Sequence, residues 1–456
     1  MQFSHWSRAL SLVLFGGASA ALSFGCDAGP ASGTGGGATS TATGTEAPPS
    51  DPDVAAGTAA INAGRDIFRH DTFGDEVFWG GALKMHRALE GKALGGFGPG
   101  VSPKTALAVG LKVDSEALPA EVVSGVKNGT IRLDDPATTV ALLKLDAVVG
   151  AKVTMNADGT LKTIGFQCAL CHSTVDDSFA PGIGKRLDGW ANRDLNFGAI
   201  VNLSEDLTPL ADALGVSQAA VRTVLASWGP GKYDAEVFLD GRAVRPDGKP
   251  GATLIPPAFG LAGVNQQTYT GWGSIPYWNA FVAVLEMHGQ GNFFDSRLDD
   301  AAQFPVAAKN KLGHTTSKTD LVTSKLPALQ AYQLALAAPP APAGSFDVEA
   351  AGRGKSLFEV GAQCAMCHMG PAGTDAGWNM HTAEEIGIDD FQSSRAPSKA
   401  YRTTPLRGLW THQKGGFYHD GRFATLLDVV NHYDTTQKLG LTSPQKSDLV
   451  EYLKSL

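Results

Sequence analysis

Hydrophobic and polar positions alternate along this chain in several distinct ways, and each predicts a different element. From Ala9 to Phe24 the apolar positions are nearly continuous, broken only by small residues, behind the basic Arg8. The stretch is too short and too rich in Gly and Ser for a bilayer-spanning helix, so it predicts a signal peptide over residues 1–26. From Asp27 to about Asp53 large apolar side chains almost vanish among Gly, Ala, Thr, Ser and Pro. Such a segment cannot bury a core, and it predicts a flexible linker over 27–60. Tyr277 to Leu285 is an apolar helical run, and Glu349 to Phe358 is helical in pattern. At about 100° per residue, Leu426, Val429, Val430 and Tyr433 share one helix face, with His432 at its edge. Ser443 and Pro444 form an N-cap and first-turn pair. The helix they open runs to Leu456, with Leu449, Tyr452, Leu453 and Leu456 in one stripe. The expected fold is mainly α with long irregular loops.

Roughly 400 residues beyond the linker exceed one ordinary domain. The Pro-rich stretch Ala337-Ala-Pro-Pro-Ala-Pro-Ala-Gly344 divides them into an N-terminal domain, 61–336, and a C-terminal domain, 345–456. Net charge is −8 and there is no basic cluster, which argues against a nucleic-acid partner.

The cysteines change the picture most. Four of the five stand in two copies of Cys-x-x-Cys-His: Cys168-Ala-Leu-Cys171-His172 and Cys364-Ala-Met-Cys367-His368. This is the attachment pattern of c-type haem. Two thiols three residues apart reach the two vinyl groups on one porphyrin edge, and the adjacent histidine becomes the proximal iron ligand. A Cys₄ zinc site is the competing reading, but it does not explain a histidine at the same position in both copies. Two covalently bound haem c groups are expected, one per domain. Haem c is attached outside the bacterial plasma membrane, so the chain is expected in the periplasm or cell envelope. The fifth cysteine, Cys26, ends Leu22-Ser23-Phe24-Gly25-Cys26, which resembles a lipobox and implies a lipid anchor there.

After the second motif, Arg402-Thr-Thr-Pro-Leu-Arg-Gly-Leu-Trp410 leads to Phe417-Tyr418-His419-Asp420-Gly421-Arg422-Phe423-Ala424-Thr425-Leu426. This stretch resembles the bacterial di-haem cytochrome c peroxidase superfamily, which includes the methylamine-dehydrogenase maturation enzyme and, more remotely, the rubber oxygenases. The resemblance covers the C-terminal quarter; before it, only Cys168 to His172 match. It implies two cytochrome c-like domains, the N-terminal one enlarged by insertions. In that superfamily the helix after the His-Asp-Gly turn carries the sixth ligand of the C-terminal haem, and the matching position here is Tyr433. Met380 is the rival ligand. Met369 follows His368 directly and lies on the wrong side of the ring. His419 is read as a hydrogen-bonding group near a propionate or between haems.

For the N-terminal haem the sequence offers an absence. No His lies between His172 and His288, and no Met between His172 and Met287. Either that iron is open, or its ligand comes from afar, with His70, His86, His288 and His314 as candidates. An open iron binds peroxide or oxygen; a filled one only passes electrons. Cleaving peroxide needs an acid–base group, which in the peroxidases is a glutamate followed by Met and Gly. Leu285-Glu286-Met287-His288-Gly289 resembles it with an inserted histidine, making Glu286 and His288 the catalytic candidates. Trp272, Tyr277 and Trp278 could line the pocket or relay electrons. The expected activity is reduction of hydrogen peroxide at the N-terminal haem. Electrons would enter through the C-terminal haem from a small cytochrome or copper protein. A purely electron-transferring cytochrome and an oxidase acting on an organic substrate with oxygen are the alternatives.

Overall fold

The computed structural model describes residues 52–375 and 379–456. The signal-like stretch, Cys26 and the linker up to Asp51 lie outside the described residues. The fold is mainly helical; its strands form two-stranded pairs.

The first helix, Pro52–His70, starts inside the stretch read as linker. Its early residues include Ala55, Ala56, Ala59 and Ala60. Alanine is the best helix former, and a composition poor in large apolar groups hides that propensity. This helix packs on Leu326–Ala335, the last helix before the Pro-rich stretch. Gly64 makes the crossing, since a Cβ there would stand 1.9 Å from the Ala328 carbonyl oxygen. The C-terminal segment repeats the device. Val348–Ser356 packs on Ser443–Ser455 at Gly354, where a Cβ would stand 2.0 Å from Asp448 O. Phe358 and Tyr452 meet edge-to-face at 5.1 Å beside this crossing. The final helix is capped one residue earlier than expected. Thr442 and Gln445 form a reciprocal capping box, and Pro444 falls in the first turn.

The apolar run from Tyr277 is helical in two different ways. Ile275–Phe281 is α-helical, and Val282–Glu286 continues as a π-helical turn, closed by Met287 N donating to Val282 O at 2.8 Å. Val77–Ala82 and Leu357–Gly361 are also π-helical, the latter just before Cys364. π turns insert a residue and re-aim the side chains beyond the insertion, and they concentrate at functional sites.

The Pro-rich stretch is fastened down: Trp410 Nε1 donates to Pro339 O at 2.8 Å. The segments on its two sides interlock. Arg395 is fully buried and reaches back to Asp234 at 2.9 Å and Asp240 at 2.8 Å. Arg245 likewise bonds both Asp389 and Asp420.

Candidate functional site

The two Cys-x-x-Cys-His motifs fold alike. The antiparallel hairpin Ala151–Met155 with Leu161–Phe166 runs straight into the first. Each motif is one turn: His172 N donates to Cys168 O at 3.2 Å, and His368 N to Cys364 O at 2.9 Å. Each imidazole is then pinned through Nδ1. His172 Nδ1 lies 3.1 Å from Pro256 O, and His368 Nδ1 lies 3.0 Å from Gly373 O. A carbonyl can only accept, so Nδ1 carries the proton and Nε2 keeps a free lone pair, an assignment made from the bonding pattern. Burial lowers the His172 pKa to about 4 and that of His368 in the same direction. Neutral imidazoles oriented by a carbonyl are what iron ligation requires.

Both histidines and all four motif cysteines line one continuous cavity of about 720 Å³. The cysteines are unbridged. The cavity wall is largely aliphatic and aromatic, yet residues on it carry buried polar atoms with no partner among the described residues: Arg193 Nη1, Arg402 Nη1, Thr268 Oγ1 and His412 Nε2. Desolvation lowers the pKa of both arginines, that of Arg402 to about 10. A buried guanidinium without its full set of acceptors is costly. Arg193 and Arg402 both interact with Tyr269. Anionic groups of a ligand would satisfy them, and haem propionates have the required charge and geometry. The residues present therefore fit two haem groups: thiol pairs for the vinyl edge, imidazole Nε2 atoms for the iron, guanidiniums for the carboxylates, apolar walls for the rings.

The wall on the His172 side holds Glu286, Tyr233, Glu236, Trp278 and Met287. The π turn delivers Glu286, which is 6% exposed and accepts a short hydrogen bond from the Tyr233 hydroxyl. Burial holds its carboxyl well above the usual range, against the stabilising Tyr233 bond. His288 does not join Glu286. It takes a left-handed backbone, φ 59°, and stacks on Phe78 with centroids 3.6 Å apart, off the cavity wall. The inserted histidine, expected beside Glu286 as a catalytic candidate, thus packs on Phe78 and not on the cavity wall. His70 and His86 do not line the cavity either, and His314 pairs with Asp299 at 2.8 Å on the surface. Trp272 and Tyr277 pack behind the wall in an aromatic cluster. Arg297 bonds the Trp272 carbonyl and, with Tyr277, Asp295.

On the His368 side, helix Leu426–Thr436 presents Leu426, Val429, Val430 and Tyr433 to the cavity. A capping box between Thr425 and Asp428 starts this helix. His432, at the edge of that face, turns away to bond Ile386 O at 2.8 Å. Tyr418, in the turn before the helix, lies beside Tyr433 with ring centroids 6.3 Å apart and takes φ 68°, a strained value for a tyrosine. Met380 sits in the strand pair with Tyr401–Arg402, its thioether against Gly271, and does not line the cavity. Of the two expected ligands, Tyr433 alone faces the space beside His368. Met369 is partly exposed and lies off the cavity wall. His419 is buried on the wall and stacks on Tyr401 at 5.1 Å.

Several residues here escaped the sequence reading. Arg193 has no motif, and Arg402, though it opens the stretch that carries the resemblance, was given no role; only burial reveals both. Tyr233, Asp234 and Glu236 form a tight polar run, but such runs are ordinarily solvated. Trp190 lines the cavity edge-on to Trp410, 5.4 Å away across the two segments.

No family model matches the chain, and no curated protein does. Solved structures show partial likeness. Hydrazine synthase of Kuenenia stuttgartiensis, pressurized with 20 bar xenon, is 22% identical over 45% of this chain and 72% of that chain, with a TM-score of 0.27. A MauG-like protein associated with microbial copper homeostasis is 18% identical over 48% of this chain and 76% of that chain, with a TM-score of 0.30.

Proposed function

We propose that this chain is an exported di-haem c-type oxidoreductase that reduces hydrogen peroxide on the His172 side, with electrons entering on the His368 side. The observation that carries this reading is the asymmetry of the shared cavity. On the His172 side stands a buried carboxyl, Glu286, held by Tyr233 and pushed by burial toward its protonated form. Beside His368 stands a phenol able to fill an iron's open position, Tyr433. Haem, when bound, supplies an iron that takes up peroxide and a conduit for electrons. The chain supplies the rest. His172 and His368 hold their rings through Pro256 and Gly373. Arg193 and Arg402 neutralise carboxylates, apolar walls exclude water, and Glu286 holds the proton that peroxide cleavage needs. A small cytochrome or copper protein is the proposed donor. Among the described residues no helix is long and apolar enough to cross a membrane; any anchor is assigned to lipid on Cys26.

Met287 carries a second reading, because it lines the cavity next to Glu286. If its thioether filled the open position by His172, both sites would be closed and the protein would only carry electrons. Ferric electron paramagnetic resonance of the purified holoprotein separates the two. The peroxidase reading requires a high-spin component that peroxide consumes; two wholly low-spin haems, inert to peroxide and oxygen, would leave the electron carrier.

A further inference from the structure

Glu286 is one of two glutamates on the His172 wall. Glu236, 5% exposed, lines the same cavity three residues after Tyr233, the partner of Glu286. The two carboxyls lie within each other's field. Around Glu236 the charges are lopsided. The cation facing it is Arg395, which is already held by Asp234 and Asp240. Ionising Glu236 and Glu286 as well would set four buried carboxylates against one guanidinium, an arrangement that burial strongly disfavours.

The hydrogen bonds point the same way. Asp234 Oδ2 and Gln392 Oε1 are buried acceptors with no donor among the described residues. An O–H on Glu236 is the kind of donor such a cluster lacks. Gln392, 3% exposed, contacts Glu236. Its amide can serve both protonation states, giving N–H to the carboxylate or, turned over, accepting O–H from the acid. Burial, with Asp234 adding to it and Arg395 opposing, places the Glu236 pKa at about 7, where a group both takes and gives protons in neutral solution.

We propose that Glu236 is a proton store for this site, recharging Glu286 each time Glu286 gives up its proton. The proposal rests on the reading of the His172 side as the reacting side. Reducing one peroxide breaks its O–O bond and consumes two electrons and two protons, yielding two waters. The electrons come one at a time from a soluble one-electron donor. Glu286 gives the first proton and becomes a carboxylate. Glu236 transfers its own proton to that carboxylate, and Glu286 gives the second. Glu236 then regains a proton from water. Two protons are thus on hand before solvent is needed.

The test is Glu236→Gln in the holoprotein, read first without peroxide. Infrared difference spectra between oxidised and reduced protein should show a protonated-carboxyl band that titrates near neutral pH and vanishes in Glu236→Gln. It should shift, not vanish, in Glu236→Asp, which keeps a carboxyl should the amide disturb folding. With peroxide, turnover should fall at least ~10-fold, at the low side of what a proton-transfer group contributes, and recover in part in Glu236→Asp, both haem spectra staying as in wild type. An unchanged infrared titration and an unchanged pH profile in Glu236→Gln would overturn the store. If wild type ignores peroxide while the Glu236 band still responds to haem reduction, the store stands and the peroxidase reading falls.

Discussion

The Tyr233 hydroxyl donates to Glu286 Oε2 across 53 positions of sequence, fixing a carboxyl at the mouth of a π turn. Burial alone would leave this group free to choose among rotamers; the phenol holds it in one. Glu286→Gln should cut peroxide turnover ~10²-fold or more while both haem spectra stay as they are. Tyr233→Phe should give a smaller loss with a higher apparent pKa for the reaction, because a bond favouring the carboxylate is gone. Stopped-flow rates against pH check both.

Tyr433 and Met380 make opposite predictions. Tyr433→Phe should alter the spectrum and potential of one haem, while Met380→Leu should leave both unchanged. Redox titration followed in the visible region checks this. A loss of potential in Met380→Leu would move the ligand to the methionine.

Attachment should fail one haem at a time. Cys168→Ser should impair the N-terminal haem only, and Cys364→Ser the C-terminal one. Intact-protein mass after acid–acetone extraction reads the count, and wild type should retain two. Cys26→Ser should free the protein from membranes with both haems in place, as fractionation would show.

Arg395 is the structural counterpart of these chemical tests. Arg395→Met would leave Asp234 and Asp240 buried without their cation, at a cost of about 3–5 kcal/mol. Gly354→Ala would push a methyl into the Asp448 carbonyl and cost about 1–3 kcal/mol or more. Denaturant titration of holoprotein checks both.

Above neutral pH, stability should fall as pH rises. The native Glu236 and Asp75 carboxyls have pKa values of about 7 and about 9 against ordinary values of 4.5 and 3.8. Between those limits these two groups bind more protons in the native state than in the unfolded chain, which favours unfolding as pH rises. Below about pH 6.5 the buried histidines, whose pKa values burial lowers, oppose this. The melting temperature should therefore drop from about pH 7 to about pH 9, and Glu236→Gln should flatten the start of that drop.

The C-terminal helices were legible because their stripes and caps are local. Leu449 and Leu453 are buried together, and Val430 is buried in the helix that bears Tyr433. The cavity wall was legible only where a motif marked it. Glu286 could be named from its neighbours, but its histidine at 288 could not be placed, since a one-residue π insertion and a left-handed φ decide where it points. The place of Arg193 and Arg402 on the wall was hidden because a charge reads as surface until the fold closes over it. The start of the first helix was hidden by a composition that suits both a tether and an alanine-rich helix.

The clasp of Arg395 also bears on how such a protein is made. Its guanidinium comes from beyond the Pro-rich strap and sits between acids from before it, so the halves close on each other as the chain finishes folding. Once they have closed, Cys168 and Cys171 face an interior where burial pushes their thiols up to about 12, away from the reactive thiolate. Were haem to be joined to these thiols, attachment would have to come before that closure.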